Sequence, residues 1–300
     1  MVAGETIMGT WINGFIGLVN CIDWARSRKL SLVDFMLMSL AFSRICLLWI
    51  MLVDGIGRVL YRDSYDTQEI TRVCGHLWVT AHYFSVSFVA CLNVFYFLKI
   101  ARFSHPLFFW LKWRATRVVL MILLGSLVMF LFLSLPLREG FKDAFIRSSE
   151  RKEEKNYTGP FQMSVSQVIV VQMFLYLGPL ILWILSLTSC FLLIFSLWRH
   201  TWQMHLNATD AGDPSTEAHL RVIKWMVSLL FFTFLYYLGI SINISTSKLE
   251  KRLAEVLGVA IAGVCPSGHS FILILGNSKL RRASLWVWRQ ALLCLRGGKP

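Results

Sequence analysis

The stretch from Cys74 to Leu98, CGHLWVTAHYFSVSFVACLNVFYFL, runs for 25 residues without an Asp, Glu, Lys or Arg. As a helix rising about 1.5 Å per residue it is long enough to cross the ~30 Å hydrocarbon core of a bilayer. Hydrocarbon offers no water to open backbone groups, so a lipid-facing run of this kind is confined to a helix. Immediately afterwards the chain turns basic and aromatic: Lys99, Arg102, Lys112 and Arg114 are interleaved with Trp110 and Trp113. That join reads as a helix leaving hydrocarbon for a headgroup layer on the cytoplasmic side.

The pattern recurs. Seven apolar runs can be counted, at about Ile7–Ile22, Leu32–Val53, Cys74–Leu98, Val118–Leu135, Val168–Leu197, Val222–Ile242 and Leu253–Leu275. With 56% hydrophobic residues, the expectation is an all-α membrane protein: one seven-transmembrane helix bundle over residues 1–300, ending in a short basic tail over 276–300. No internal repeat and no soluble domain is visible. The first run is the weak one. Its 16 residues give roughly 24 Å of helix, and Asn13, Gly14, Gly17 and Asn20 interrupt it, so the first helix is expected to be short.

Orientation follows from the connecting segments. Arg26, Arg28 and Lys29 stand against Asp23 after the first run. Lys99, Arg102, Lys112, Arg114 and Arg117 have no acid beside them, nor do Lys279, Arg281, Arg282, Arg289, Arg296 and Lys299 in the tail. The alternate segments are balanced, with six basic and five acidic residues between Arg138 and Lys155. The Lys/Arg bias places the tail in the cytoplasm and the N-terminus outside. A net charge of +13 spread over short inter-helix segments points to lipid headgroups and argues against nucleic acid. The opening MVAGETIMGTW has Glu5 where a signal peptide carries basic residues, so insertion by an uncleaved first helix is expected. On this topology Asn156, in an Asn-Tyr-Thr sequon of the second outer loop, is the glycosylation candidate. Asn207 falls on the inner side and Asn243 at the membrane edge.

Enzymatic chemistry finds no support. There is no Gly-rich phosphate loop, zinc motif or nucleophile elbow, and the seven cysteines include no C-x-x-C pair or metal-ligand spacing. No cofactor or metal is implied. Cys294 in the basic tail is a palmitoylation candidate or a plain free thiol.

Five blocks occur in the order of one receptor family: NGFIGLVNCIDW; LAFSRICLLWI; FYFLKIARFSHPLFFWLKWR; SLTSCFLLIFSLWRHTWQM with DPSTEAHLRVIK; and PSGHSFILILGNSKLR. Together they resemble the type 2 (bitter) taste receptors, seven-transmembrane G-protein-coupled receptors, over most of residues 13–284. The resemblance implies a plasma-membrane, multi-pass receptor for small, mostly apolar bitter agonists. Its output would be a gustducin-type or inhibitory heterotrimeric G protein, and homo- or hetero-oligomers are left open.

Several residue roles follow from the residues and from that resemblance. Arg44 sits mid-run, where a charge normally faces protein, and the family is similar in pairing it with Asn13, more as a structural hub than a ligand site. Trp78, His82 and Ser85 fall at i, i+4 and i+7 and share one face of the third helix. Trp78 matches the family's pocket tryptophan. His82-Tyr83 stands where many relatives have Asn-His, which leaves His82 as either a pocket group or a core histidine bonded to a neighbouring helix. Gln172, Tyr176, Tyr236 and Tyr237 are further ligand candidates. Val259 occupies a position that is often polar in the family, and Glu255 one turn outward is the partial substitute, so a cationic agonist is not expected there. Pro179 stands about three residues earlier than in relatives. On the inner side, Tyr96 and His269 match family positions, and Lys99, Arg102, His105, Lys112 and Lys224 form a basic rim for the G protein or for headgroups. Two rivals stay open: a small membrane transporter, and a receptor-like chain whose short first helix prevents signalling.

Overall fold

The computed structural model describes residues 2–60, 65–132, 165–206, 224, 227–228, 230–239 and 251–295. Helix α1 runs Val2–Ser27, 26 residues or roughly 39 Å. The first helix is therefore not short, a correction to the apolar-run reading. The helix continues past the apolar run because its polar side chains are accommodated inside the bundle. Thr6, Asn13 and Asn20 are buried, and the two amides donate to the carbonyls of Gly9 and Ile16 at 2.8 Å, which removes the cost of unbonded groups. The helix stops at Arg28, in the left-handed region at φ 54°, and the Arg28 N–H donates back to the Trp24 carbonyl at 2.8 Å.

Helix α2 runs Leu32–Leu60. Ser31 caps it: its Oγ accepts from the Asp34 N–H (3.1 Å) and donates to the Asp34 carboxylate (2.7 Å). Helix α3, Tyr65–Ile100, contains the charge-free run within its 36 residues. Helix α4, Pro106–Trp113, lies where sequence suggested only a loop. Pro106 takes its first turn, and His105 Nδ1 accepts from the Leu107 N–H at 3.2 Å. The described part of α5 is Ala115–Phe132, and α6 is Val165–Leu206. The described apolar part of α7 is Leu230–Gly239. Helix α8 is Lys251–Gly276. Asn277 Oδ1 then accepts from the N–H groups of Lys279 and Leu280 and starts α9, Ser278–Leu295, so the basic tail is largely helical.

Helix α3 is the central post. It packs on α2 and α6, while α1 packs on α2 and α8. In α3 61% of the candidate span is buried, against 17% in α5. Side chains such as Trp11, Phe42, Phe132 and Phe191 point out of the bundle, the arrangement expected where hydrocarbon is the solvent. By length and apolar composition four described segments qualify alone as spans: Leu32–Gly57, Val73–Ile100, Ala115–Phe132 and Leu177–Arg199. The core cluster, with Ile16, Leu37, Leu92, Leu193 and Leu273, joins α1, α2, α3, α6 and α8.

Candidate ligand cavity and inner face

A polar hub ties three helices together. Arg44 Nη1 of α2 donates to Ser270 Oγ of α8 at 2.7 Å. The Ser270 hydroxyl in turn lies 2.7 Å from Asn13 Oδ1 of α1 and 2.8 Å from the Pro266 carbonyl, its two alternative acceptors. Asn13 and Ser270 are 0% exposed and Arg44 is 4% exposed. Asn13 and Arg44 are thus joined through an intermediary. Ser270 is the piece of the hub that the sequence does not single out.

Beside the hub lies a cavity of about 40 Å³, lined among others by Arg44, His82, Ser85, Trp183, Ser186 and Tyr236. Three aromatic rings stack across its α3–α7 side. Trp78 lies 5.6 Å from His82 with the rings 11° apart, and His82 lies 4.6 Å from Tyr236 at 22°. Tyr237 meets His82 edge-on at 6.0 Å. His82 and Tyr236 are 5% and 4% exposed. Among the described residues His82 Nε2, Tyr236 Oη and Trp183 Nε1 are buried with no hydrogen-bond partner. Buried polar atoms are normally bonded, so a cluster of exceptions around a cavity marks a place for a ligand or water.

Of the expected pocket residues, the structure brings His82, Ser85 and Tyr236 to the cavity wall, with Trp78 and Tyr237 packed against His82. Gln172 and Tyr176 lie on the α6 backbone, and Glu255 and Val259 on α8, but their side chains lie outside the described residues. Trp183 and Ser186 were not foreseen. Their signal was present: residues 172, 176, 179, 183 and 186 continue a single helical face. Ser186 also accepts a hydrogen bond from Asn93 Nδ2, which links α6 to α3.

Lys99 and Arg102 are exposed at the end of α3, and the Arg102 N–H donates to Ser196 Oγ of α6 at 2.9 Å. Lys112 reaches back from α4 to the Ala101 carbonyl at 2.9 Å. Partial burial, then the charges of Arg102 and Lys99, hold its ammonium below the ordinary lysine pKa. These three cations therefore form one cluster. His105 is exposed and caps α4, and Tyr96 is half-buried at the inner end of α3. Lys224 is exposed. His269 requires a correction: at 2% exposure it is buried within the bundle, one residue before the hub serine, and does not reach the surface. Asn156 lies outside the described residues.

The family model for taste receptor protein (TAS2R) matches residues 1–291. The chain belongs to the type 2 taste receptor family. Taste receptor type 2 member 7 of Papio hamadryas is 45% identical over 300 residues, covering 100% of this chain and 95% of that protein. Member 7 of Macaca mulatta is likewise 45% identical, with 94% of its length covered. Member 9 of Macaca mulatta is 44% identical over 301 residues, with 96% covered. The chain is accordingly a seven-transmembrane, G-protein-coupled bitter-taste receptor of the plasma membrane, a multi-pass protein from a family without enzymatic activity. Neither a transporter nor an enzyme describes it.

Proposed function

We propose that this receptor detects small, mostly apolar bitter compounds that enter from the side opposite the basic segments, with the N-terminus outside and the tail in the cytoplasm. The agonist occupies the region of Trp78, His82, Ser85 and Tyr236, with Tyr237 behind His82. Gln172, Tyr176, Glu255 and Val259 contribute from α6 and α8. The observation that carries this reading is the set of partnerless buried polar atoms beside stacked aromatic rings. Apolar walls with a few convergent polar groups suit broad, modest-affinity recognition. Agonist binding shifts a pre-existing equilibrium, and the inner ends of α6 and α7 move. The Lys99–Arg102–Lys112 cluster, with His105 and Lys224 at its edge, then meets a gustducin-type or inhibitory Gα subunit. Mutual repulsion at Lys112 favours any anionic partner, so the same cluster binds headgroups in the resting receptor. Asn156 carries a glycan. Against the truncated, non-signalling alternative stand the 26 residues of α1 and its Asn13 in the hub.

The test is an agonist screen in cells supplied with a chimeric G protein, reading intracellular calcium. Trp78→Ala and His82→Ala should each weaken the response by tenfold or so, the loss of roughly 1.4 kcal/mol of contact. Identical dose–response curves in wild type and both variants would place the agonist elsewhere.

A further inference from the structure

Arg44 carries a full charge at 4% exposure, and no residue lining the adjoining cavity is acidic. A buried cation is expensive unless a counter-charge and hydrogen bonds accompany it. The Ser270 hydroxyl is neutral and occupies Nη1, whereas a guanidinium presents five N–H donors.

The other polar lining atoms match the same requirement. Trp183 Nε1 is a donor only and has no acceptor among the described residues. Tyr236 Oη and His82 Nε2 have no partner there either, and both can donate. Ser85 and Ser186 add hydroxyls to the wall. A cation placed here would face the guanidinium, and a water would leave its charge uncompensated. Apolar neighbours Leu47, Val86, Val89 and Leu182 lower the local dielectric and strengthen attraction to an anion. The space, about 40 Å³, exceeds the ~10–15 Å³ that one water-sized sphere needs. We propose that this cavity is an anion subsite, holding a halide-sized monovalent anion as the counter-ion of Arg44 against the donors of Trp183 and Tyr236.

The proposal concerns the purified chain and does not depend on any agonist or G protein, so it can fail while the receptor reading stands. The full-length receptor is placed in nanodiscs of neutral phosphatidylcholine, and sodium gluconate is replaced stepwise by sodium bromide at constant ionic strength. Thermal unfolding should rise saturably by about 2–4 °C, the effect of a ligand that binds only the folded state. Trp183→Phe and Tyr236→Phe keep the rings and remove one donor each. Each should leave the gluconate melting temperature in place and raise the half-saturating bromide concentration by about fivefold, one net hydrogen bond. Ser85→Ala, on α3, provides a third variant with the same expectation should a ring variant fold poorly. Equal melting in gluconate and bromide overturns the proposal. So does a bromide shift that persists with the same midpoint in all three variants, since that is salt acting on the basic surface.

Discussion

Two polar regions less than a helix length apart behave in opposite ways. In the hub, Asn13, Ser270 and Arg44 form a hydrogen-bonded chain across three helices within a nearly solvent-free core, and Arg44 also lines the cavity. Around the cavity, His82, Tyr236 and Trp183 bring polar atoms together and leave them unanswered by the described residues. Burial alone does not separate the two, since both are almost completely enclosed. Satisfaction does. Hydrogen bonds between side chains of different helices hold those helices in register, whereas open donors beside a cavity are free to be answered by something that comes and goes.

That contrast predicts opposite phenotypes. The largest effect belongs to the hub: Ser270→Ala removes the hydroxyl that takes Arg44 Nη1 and serves Asn13 Oδ1, and leaving a buried cation without that partner costs about 3 kcal/mol or more. Most of the receptor should disappear from the cell surface in staining of a tagged chain, and normal surface levels with normal melting would contradict the hub. Next comes helix spacing. A Cβ on Gly268 would sit 2.6 Å from Phe232 Cε1, a rigid ring edge, so Gly268→Ala should cost about 1–3 kcal/mol through overpacking. Phe232→Leu in that background should recover part of the lost melting temperature. If it does not, α7 and α8 do not meet there.

On the cavity side, Tyr236→Phe should express and melt like the parent while its agonist half-maximal concentration rises about fivefold. A variant equally impaired in folding and response would move Tyr236 into the structural class. The smallest effect is at the start of α9, where Lys279 Nζ bridges Asp23 at 2.6 Å and Asp34 at 3.0 Å. All three side chains remain partly solvated, so Lys279→Met should cost only about 0.2–1 kcal/mol. Burial lowers the Lys279 pKa, but hydrogen bonds and charge from Asp23 and Asp34 outweigh it, and the net shift is upward. The bridge's contribution is complete below the unfolded lysine value and fades as pH rises through the higher folded one. Melting measured from neutral to strongly alkaline pH should therefore converge for parent and Lys279→Met only at the alkaline end.

How legible all this was in the chain varies with the range of the interaction. Lys99, Arg102 and Lys112 could be grouped from spacing, and so could the Trp78–His82–Ser85 face. Helix α4 was passed over although Ser-His-Pro spells a capped start, because a run of eight residues is too short for its apolar period to stand out. The first helix was read as short because apolar content, not helical length, was counted, and α1 buries its polar side chains against partners a linear scan does not see. The family resemblance puts His269 on the inner side, but its side chain is buried in the bundle, which a match of motifs does not reveal.

What the sequence determined by itself is the material of the fold: apolar runs that must be helical in lipid, and charged segments between them that must remain in water. Both follow from transfer free energies that each residue carries with it, whatever it touches. Tertiary structure alone decided that Ser270 stands between Asn13 and Arg44, that His82 stacks on Tyr236, and that Trp183 lines the same cavity. Those are contacts between residues up to 257 positions apart, and whether a polar group is satisfied depends on which neighbour the packing brings within hydrogen-bond reach.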